Sequence, residues 1–376
     1  MDEEPEREVI EILKSAKIDV VSTLPCEKLS VLLRFVANEF CHVGLNREEN
    51  GVGISAGVYL AGGKPLMIIQ STGLGNSINT LMSLTVTYGL PLPVLASWRG
   101  VYKEKIEAQV PLGKALPKLL DALDLNCTLI EETSAIGLIE EVIQDAFENE
   151  RPHIALISPK IWECSGTGTI EEETTSHKPH KPDEIRLQYE KVINPPEMRR
   201  YDAIKLITAY LAEEAVISNI GVPSKELYAA KDRSLNFYML GSLGQASAIG
   251  LGVAMKTKRE VLVLDGDGSL KMSNILPVVA DKKPVNLSIV CLDNGTWGST
   301  GDQPAPYADM ELMAISAGIA NTKRVHTEEE LRYALEQLYE EKGPRFLHLL
   351  VKPGNAEIGN IKLNAAQIKS RFMKAC

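Results

Sequence analysis

No stretch of this 376-residue chain approaches the ~18 consecutive apolar residues that a membrane-spanning helix needs. The start, MDEEPEREVI, is acidic and carries neither the basic nor the apolar segment of a secretory signal. A cytoplasmic protein with no membrane partner is the expectation. Excess positive charge is also missing: 40 Lys and Arg stand against 50 Asp and Glu, a formal net charge of -10. Binding to a nucleic-acid backbone needs clustered cations, so nucleic acid is not an expected partner. The six cysteines form no C-x-x-C pair and have no histidine at metal spacing, which favours reduced thiols over bridges or zinc ligands. None of the six histidines falls in an evident acid/base pair. No strand-like run is followed by G-x-G-x-x-G with an acid ~20 positions on, which ranks a nicotinamide-dependent oxidoreductase last. No short-period repeat of the solenoid kind is present.

What is present is an alternation of β-rich and helical runs, twice over. IDVVSTL, CEKLSVLLRFVANEF, PLMIIQ, PLPVLAS and HIALIS predict one parallel sheet flanked by helices, ending near residue 163. The stretch from Cys164 to about residue 199 is polar, charged and proline-punctuated, and reads as a linker. From Tyr201 the alternation restarts with YDAIKLITAYLAEE, AVISNI, GQASAIGLGVAM, VLVLD, VNLSIVCLD and FLHLLV. The fold class is therefore α/β, with modules at 1–163 and 200–376 joined by residues 164–199.

In VLVLDGDGSLKM, Gly266, Asp267 and Gly268 stand between an apolar strand and a helix. Glycines let a diphosphate approach the backbone, but the Asp267 carboxylate would repel it unless a cation lay between them. Twenty-seven positions after Asp267 comes Asn294, in DNGTWG, at a second turn of the same sheet edge. Strand, GDG, helix, strand and Asn at this distance resemble the Mg-diphosphate motif of the thiamine diphosphate (TPP) enzymes. The resemblance implies Mg²⁺ held by Asp267, Asn294 and the Thr296 carbonyl, with Gly266, Gly268 and Ser269 cradling the diphosphate. The more common Asn-Asn pair reads Asp293-Asn294 here. Upstream, MLGSLGQASAIGLGVAM is similar to the family segment whose large apolar residue props the bent cofactor, which selects Leu243. SNIGVPSKEL places Gly221 and Ser224 near the cofactor by the same resemblance, although helix capping is an alternative use for Ser224.

The first module resembles the half that supplies the activating carboxylate. A hydrogen bond at N1′ of the aminopyrimidine favours the imino form that removes the thiazolium C2 proton. In GLNREENGVGISAGVYLAGGKP the family acid lies nine residues before a Gly, and counting back from Gly57 selects Glu48 over its competitor Glu49. QSTGLGNSINTLMSL resembles the connection that approaches the pyrimidine, centred on Gly73, Gly75 and Asn76.

Acetolactate synthases and pyruvate decarboxylases carry a middle domain that the linker here is too short to hold. The set VSTLPCEKL, NREENGVG, STGLGNSIN, WRGVYKEKIEAQVPLG, NIGVPSKELY and NFYMLGSLGQAS is similar to the two-module sulfopyruvate decarboxylases, with the α-like and β-like modules fused. The resemblance implies a small anionic 2-oxo acid substrate, sulfopyruvate first and phosphonopyruvate second, and a place in coenzyme M biosynthesis. It also implies a homo-oligomer, at least a dimer, with the cofactor spanning modules of two chains. Arg47, Arg99, Lys103, Lys105 and Gln109 lie near the site segments and could recognise the second anionic group, surface charge being the alternative for both lysines. A TPP-binding sensor without turnover is the alternative of a different class.

Overall fold

The computed structural model describes residues 5–164 and 194–376. The first sheet comprises β1 (Val20–Thr23), β2 (Cys41–Gly44), β3 (Pro65–Gln70), β4 (Leu92–Ser97), β5 (Asn126–Ile130) and β6 (Pro152–Ile157). The second comprises β7 (Ala215–Ser218), β8 (Asn236–Tyr238), β9 (Val261–Gly266), β10 (Leu287–Asp293), β11 (Asn321–Val325) and β12 (Arg345–Leu350). Their orders are β2-β1-β3-β4-β6-β5 and β8-β7-β9-β10-β12-β11, the same winding repeated, and every pair in both sheets is parallel.

Every β-rich run named from the sequence is a strand, and the interior ones are buried on both faces, as a helix-covered parallel sheet requires. The runs without a sequence signature, β2, β5, β8 and β11, are the four sheet edges. An edge strand packs against less, so β2, β5 and β11 carry polar and half-exposed residues, while β8 has three residues only.

Five helices position the site: α1 (Glu48–Leu60), α2 (Ser71–Thr80), α3 (Val222–Ala230), α4 (Ala246–Lys256) and α5 (Asp267–Ser273). Nearly all of α1 and α4 is buried, because they pack on each other between the modules. They run parallel: Gly53 faces Gln245 and Ala248, Gly57 faces Ile249 to Val253, and Gly63 faces Lys256. At the crossing the backbones touch. A Cβ built on Gly57 would stand 2.1 Å from the Ile249 carbonyl oxygen, and one on Gly252 would stand 2.1 Å from that of Ile54. One apolar core runs through this contact into both modules, and a second fills the outer face of the first sheet.

Of the expected linker, residues 165–193 lie outside the described residues. Residues 194–199 already touch the second module: the Glu197 amide donates to the His326 carbonyl and Arg199 bridges Lys352. Among the described residues no helix is long and apolar enough to cross a membrane, and Cys26, Cys41, Cys127, Cys291 and Cys376 are free.

Candidate active site

Ligands of open parallel sheets gather at the carboxyl ends of the strands, where connections diverge to opposite faces. In the first module β2 leads through Leu45–Arg47 into α1, whose first residue is Glu48. Glu48 is 6% exposed, whereas Glu49 pairs with Arg47 at the rim. The neighbouring connection from β3 has no loop. The chain passes from Gln70 straight into α2, so Gly73, Gly75 and Asn76 lie within the helix rather than in a turn. Their placement explains the glycine: a Cβ on Gly73 would stand 2.5 Å from Cγ and Oε1 of Glu48. Asn76 Nδ2 donates to Glu48 Oε2 at 3.2 Å. Gly75 faces the Leu112 side chain, not the acid.

Beyond Thr80 the helix widens into π-type turns over Leu81–Val86, a distortion that often accompanies function. This stretch meets the second module at Gly241 and Ser242, next to Leu243. The Ser83 and Ser242 hydroxyls are in hydrogen-bond contact, and the buried Tyr88 hydroxyl bonds the Tyr238 carbonyl and the Leu240 amide. Ser242 (φ 58°) and Gly244 (φ 90°) both take left-handed conformations on either side of the half-buried Leu243. Asn50, fully buried on α1, ties the modules further by donating to the Ser273 carbonyl at 2.9 Å. Ser83, Tyr88 and Asn50 have no signal in the sequence that marks them as partners of this loop.

In the second module the β7 and β9 connections adjoin. Gly221 (φ 83°, ψ −130°) opens α3 in a conformation open to glycine, close to Ser299. Ser224 does not cap that helix. Its hydroxyl donates to the Asn219 carbonyl at 2.8 Å and contacts Ser218, which replaces the capping alternative with a tie across the turn. β9 runs directly into α5 at Gly266-Asp267, and the Trp297 ring lies on Gly268. Ser269 is buried beside them.

Asp267 is 3% exposed and bonds Lys271 Nζ at 2.8 Å. Burial first, and then the Asp293 charge, raise its carboxyl above the ordinary range against the pull of Lys271. Asn294 is buried, with Oδ1 accepting from the Thr296 amide at 3.3 Å and Nδ2 donating to Thr296 Oγ1 at 3.0 Å. The buried Asp267 carboxyl, which feels the nearby Asp293 charge, fits a divalent cation together with the neutral Asn294 amide oxygen. Among the described residues no three His, Cys, Asp or Glu side chains converge as a metal cage, so a set of one acid, one amide and one carbonyl is the available donor chemistry.

The cations expected at the substrate are mostly engaged. Arg99 makes a buried two-pronged pair with Glu104, at 2.7 and 2.9 Å. Glu104 also accepts from the amides of Gly100, Lys105 and Ile106, and the Arg99 bonds above all hold its carboxyl down to about 2. Arg99 thus folds its own loop. Lys103 pairs with Glu163 at the surface, Lys105 is exposed, and Gln109 is half-buried with Oε1 unpartnered among the described residues. The histidine reading also changes: His348, buried on β12, bonds Asp293 at 2.8 Å. The sequence hides this pair because its members are 55 residues apart and meet only through strand pairing.

Comparison with known proteins bears on the same segments. The N-terminal TPP binding domain of thiamine pyrophosphate enzymes matches residues 6–125, and the C-terminal TPP binding domain matches residues 220–349. The chain is 49% identical over 373 residues to a sulfopyruvate decarboxylase of Methanosarcina acetivorans, covering 98% of this chain and 96% of that protein. It is 32% identical to a phosphonopyruvate decarboxylase of Streptomyces viridochromogenes, covering 94% and 90%. Among solved structures, the thiamine diphosphate-dependent 4-hydroxybenzoylformate decarboxylase of Rhodococcus jostii RHA1 superposes with a TM-score of 0.62 at 14% identity. That match covers 94% of this chain and 100% of the other, a likeness of fold.

Proposed function

The chain belongs to the TPP-dependent 2-oxo acid decarboxylase family, and from that premise we propose that it converts 3-sulfopyruvate to sulfoacetaldehyde and CO₂ with TPP and Mg²⁺. The observation that carries the reading is the pair of buried carboxylates, Glu48 and Asp267, at the carboxyl ends of two identically wound sheets. Residues 1–163 form the pyrimidine-binding module and residues 200–376 the diphosphate-binding module, joined by 164–199.

TPP, when bound, supplies the electron sink for the pair released as CO₂ leaves. The chain's own residues do the rest. Glu48 holds the proton at pyrimidine N1′, and its carboxylate is set for this by Gly73 beneath it and by the Asn76 amide. Leu243 would prop the cofactor, from a loop braced by the contact of Ser83 with Ser242. Asp267, Asn294 and the Thr296 carbonyl would hold Mg²⁺, whose charge would offset that of a diphosphate lined by Gly266, Gly268 and Ser269. Gly221 keeps the adjoining β7 turn close, and Ser224 fixes it. Gly75 gives the α2 face its low relief beside Leu112.

Arg47, Lys105 and Gln109 are the groups to meet the sulfonate, with Arg99 shaping the loop that carries the last two. The reading extends to a role in coenzyme M biosynthesis, to the cytoplasm and to a homo-oligomer of at least two chains, and is supported by the sulfopyruvate decarboxylase that is 49% identical over nearly the full chain. Phosphonopyruvate is the competing substrate, supported by the relative that is 32% identical over nearly the full chain.

CO₂ release from sulfopyruvate, phosphonopyruvate and pyruvate, side by side with TPP and Mg²⁺ under reducing conditions, tests the reading. Preference for sulfopyruvate is expected. Preference for phosphonopyruvate corrects the substrate alone, and TPP binding without CO₂ means a sensor.

A further inference from the structure

The His348–Asp293 pair is a titratable contact beside the site that the proposed mechanism leaves without a task. Asp293 ends β10 and immediately precedes Asn294. Its two oxygens face opposite ways: Oδ2 meets His348 Nε2 at 2.8 Å, and Oδ1 accepts the Gly295 amide at 3.0 Å. His348 is 2% exposed, and its Nδ1 has no hydrogen-bond partner among the described residues. The ring is therefore anchored by packing and by this one polar contact. Gly295 takes a left-handed φ of 67°, the bend that brings Asn294 Oδ1 to the Thr296 amide. The bend is held from below by a carboxylate that a buried ring holds in turn.

We infer that His348 is a positioning residue for the metal turn, acting through Asp293, whose carboxylate orients the Asn294–Thr296 backbone. An Asn at 293 could accept the Gly295 amide equally well, so the turn alone does not require the acid. The buried His348 Nε2–H donor on β12 fixes which way the Asp293 carboxylate points, because rotation of the carboxylate would leave that donor unpaired. The inference rests on reading Asn294 and Thr296 as the metal-holding turn.

The experiment titrates Mg²⁺ into the full-length protein with saturating TPP, following the fluorescence of Trp297, whose ring lies on Gly268. His348→Leu removes the donor with similar bulk, and His348→Gln restores an amide donor. The Leu variant is expected to weaken Mg²⁺ binding about tenfold, the loss of one hydrogen bond to a charged group. Its kcat at saturating Mg²⁺ should stay within about threefold of wild type, and the Gln variant should recover most of the affinity. Unchanged Mg²⁺ affinity in the Leu variant, or no recovery in the Gln variant, overturns the inference. Hydrogen exchange of the Gly295 amide in metal-free protein gives a readout independent of activity. Faster exchange there in the Leu variant, with β9 amides unchanged, supports the clamp; an unchanged rate overturns it. A wild type whose fluorescence ignores Mg²⁺, with Gly295 exchange still responding to His348, would keep the clamp and reject the metal assignment.

Discussion

Gly73 lies directly against Glu48: the space a Cβ would need at residue 73 is already filled by the carboxylate, 2.5 Å away. The contact joins two connections of the first sheet, one after β2 and one after β3. It makes the position of the acid depend on the absence of a side chain elsewhere. Gly73→Ala is expected to push Glu48 off its place and lower kcat at least tenfold with little change in thermal stability, since the far end of Glu48 can give way. Glu48→Gln should lose more, about a hundredfold or beyond, for want of the general acid–base group. Glu49→Gln, at the rim with Arg47, should stay within about threefold of wild type. Steady-state decarboxylation by the three variants decides, and full turnover by Glu48→Gln would remove the assignment.

The raised carboxyl of Asp267 has a consequence for stability. A carboxylate whose folded pKa lies above its ordinary 3.8 weakens the metal-free fold as pH rises past that value. At neutral pH, Mg²⁺ with TPP should therefore raise the melting temperature, through the binding itself and by neutralising this site. Asp267→Asn should abolish the Mg²⁺-dependent rise while leaving metal-free protein at least as stable as wild type. Differential scanning fluorimetry with and without Mg²⁺ and a chelator reads both effects. A metal-free Asp267→Asn protein that melts well below wild type would show that the Lys271 pair outweighs the burial cost.

Gly57 and Gly252 set the spacing of the two modules. A methyl group on either would meet backbone atoms, which cannot rotate away. Gly57→Ala or Gly252→Ala should destabilise the protein by about 3 kcal/mol or more, at the severe end for single substitutions. Urea unfolding midpoints measure this, and a change below about 1 kcal/mol would mean that α1 and α4 separate easily.

Glu104 titrates far below its ordinary 4.5, at about 2, with Arg99 as the main cause. A depressed carboxyl contributes stability that is whole above 4.5 and is lost as pH falls toward 2. Glu104→Gln should therefore flatten the stability profile in that window while lowering stability at neutral pH. Melting temperatures between pH 2 and pH 7 test the sign. An unaltered acid limb would show that the Arg99 loop opens without cost.

Some of this molecule is determined by the order of residues alone. Interior strands of parallel sheets are apolar on both faces, so VLVLD, VNLSIVCL and PLMIIQ announce themselves, and with them the two modules. Edge strands such as β2 and β11 are half solvated and leave no such pattern. The GDG turn and Asn294 are also legible, because consecutive parallel strands put their carboxyl ends side by side at a spacing set by one helix and one strand. Glu48 follows from its distance to a glycine that the helix crossing demands. The tertiary structure alone decided which charges are free and which are taken: Arg99 turned to Glu104, Arg47 to Glu49, and His348 to Asp293. It also decided that Gly73 gives room to an acid rather than bending a loop. A side chain's partner depends on what the fold brings within about 3 Å, and hydrogen bonds at that range join residues without regard to their separation along the chain.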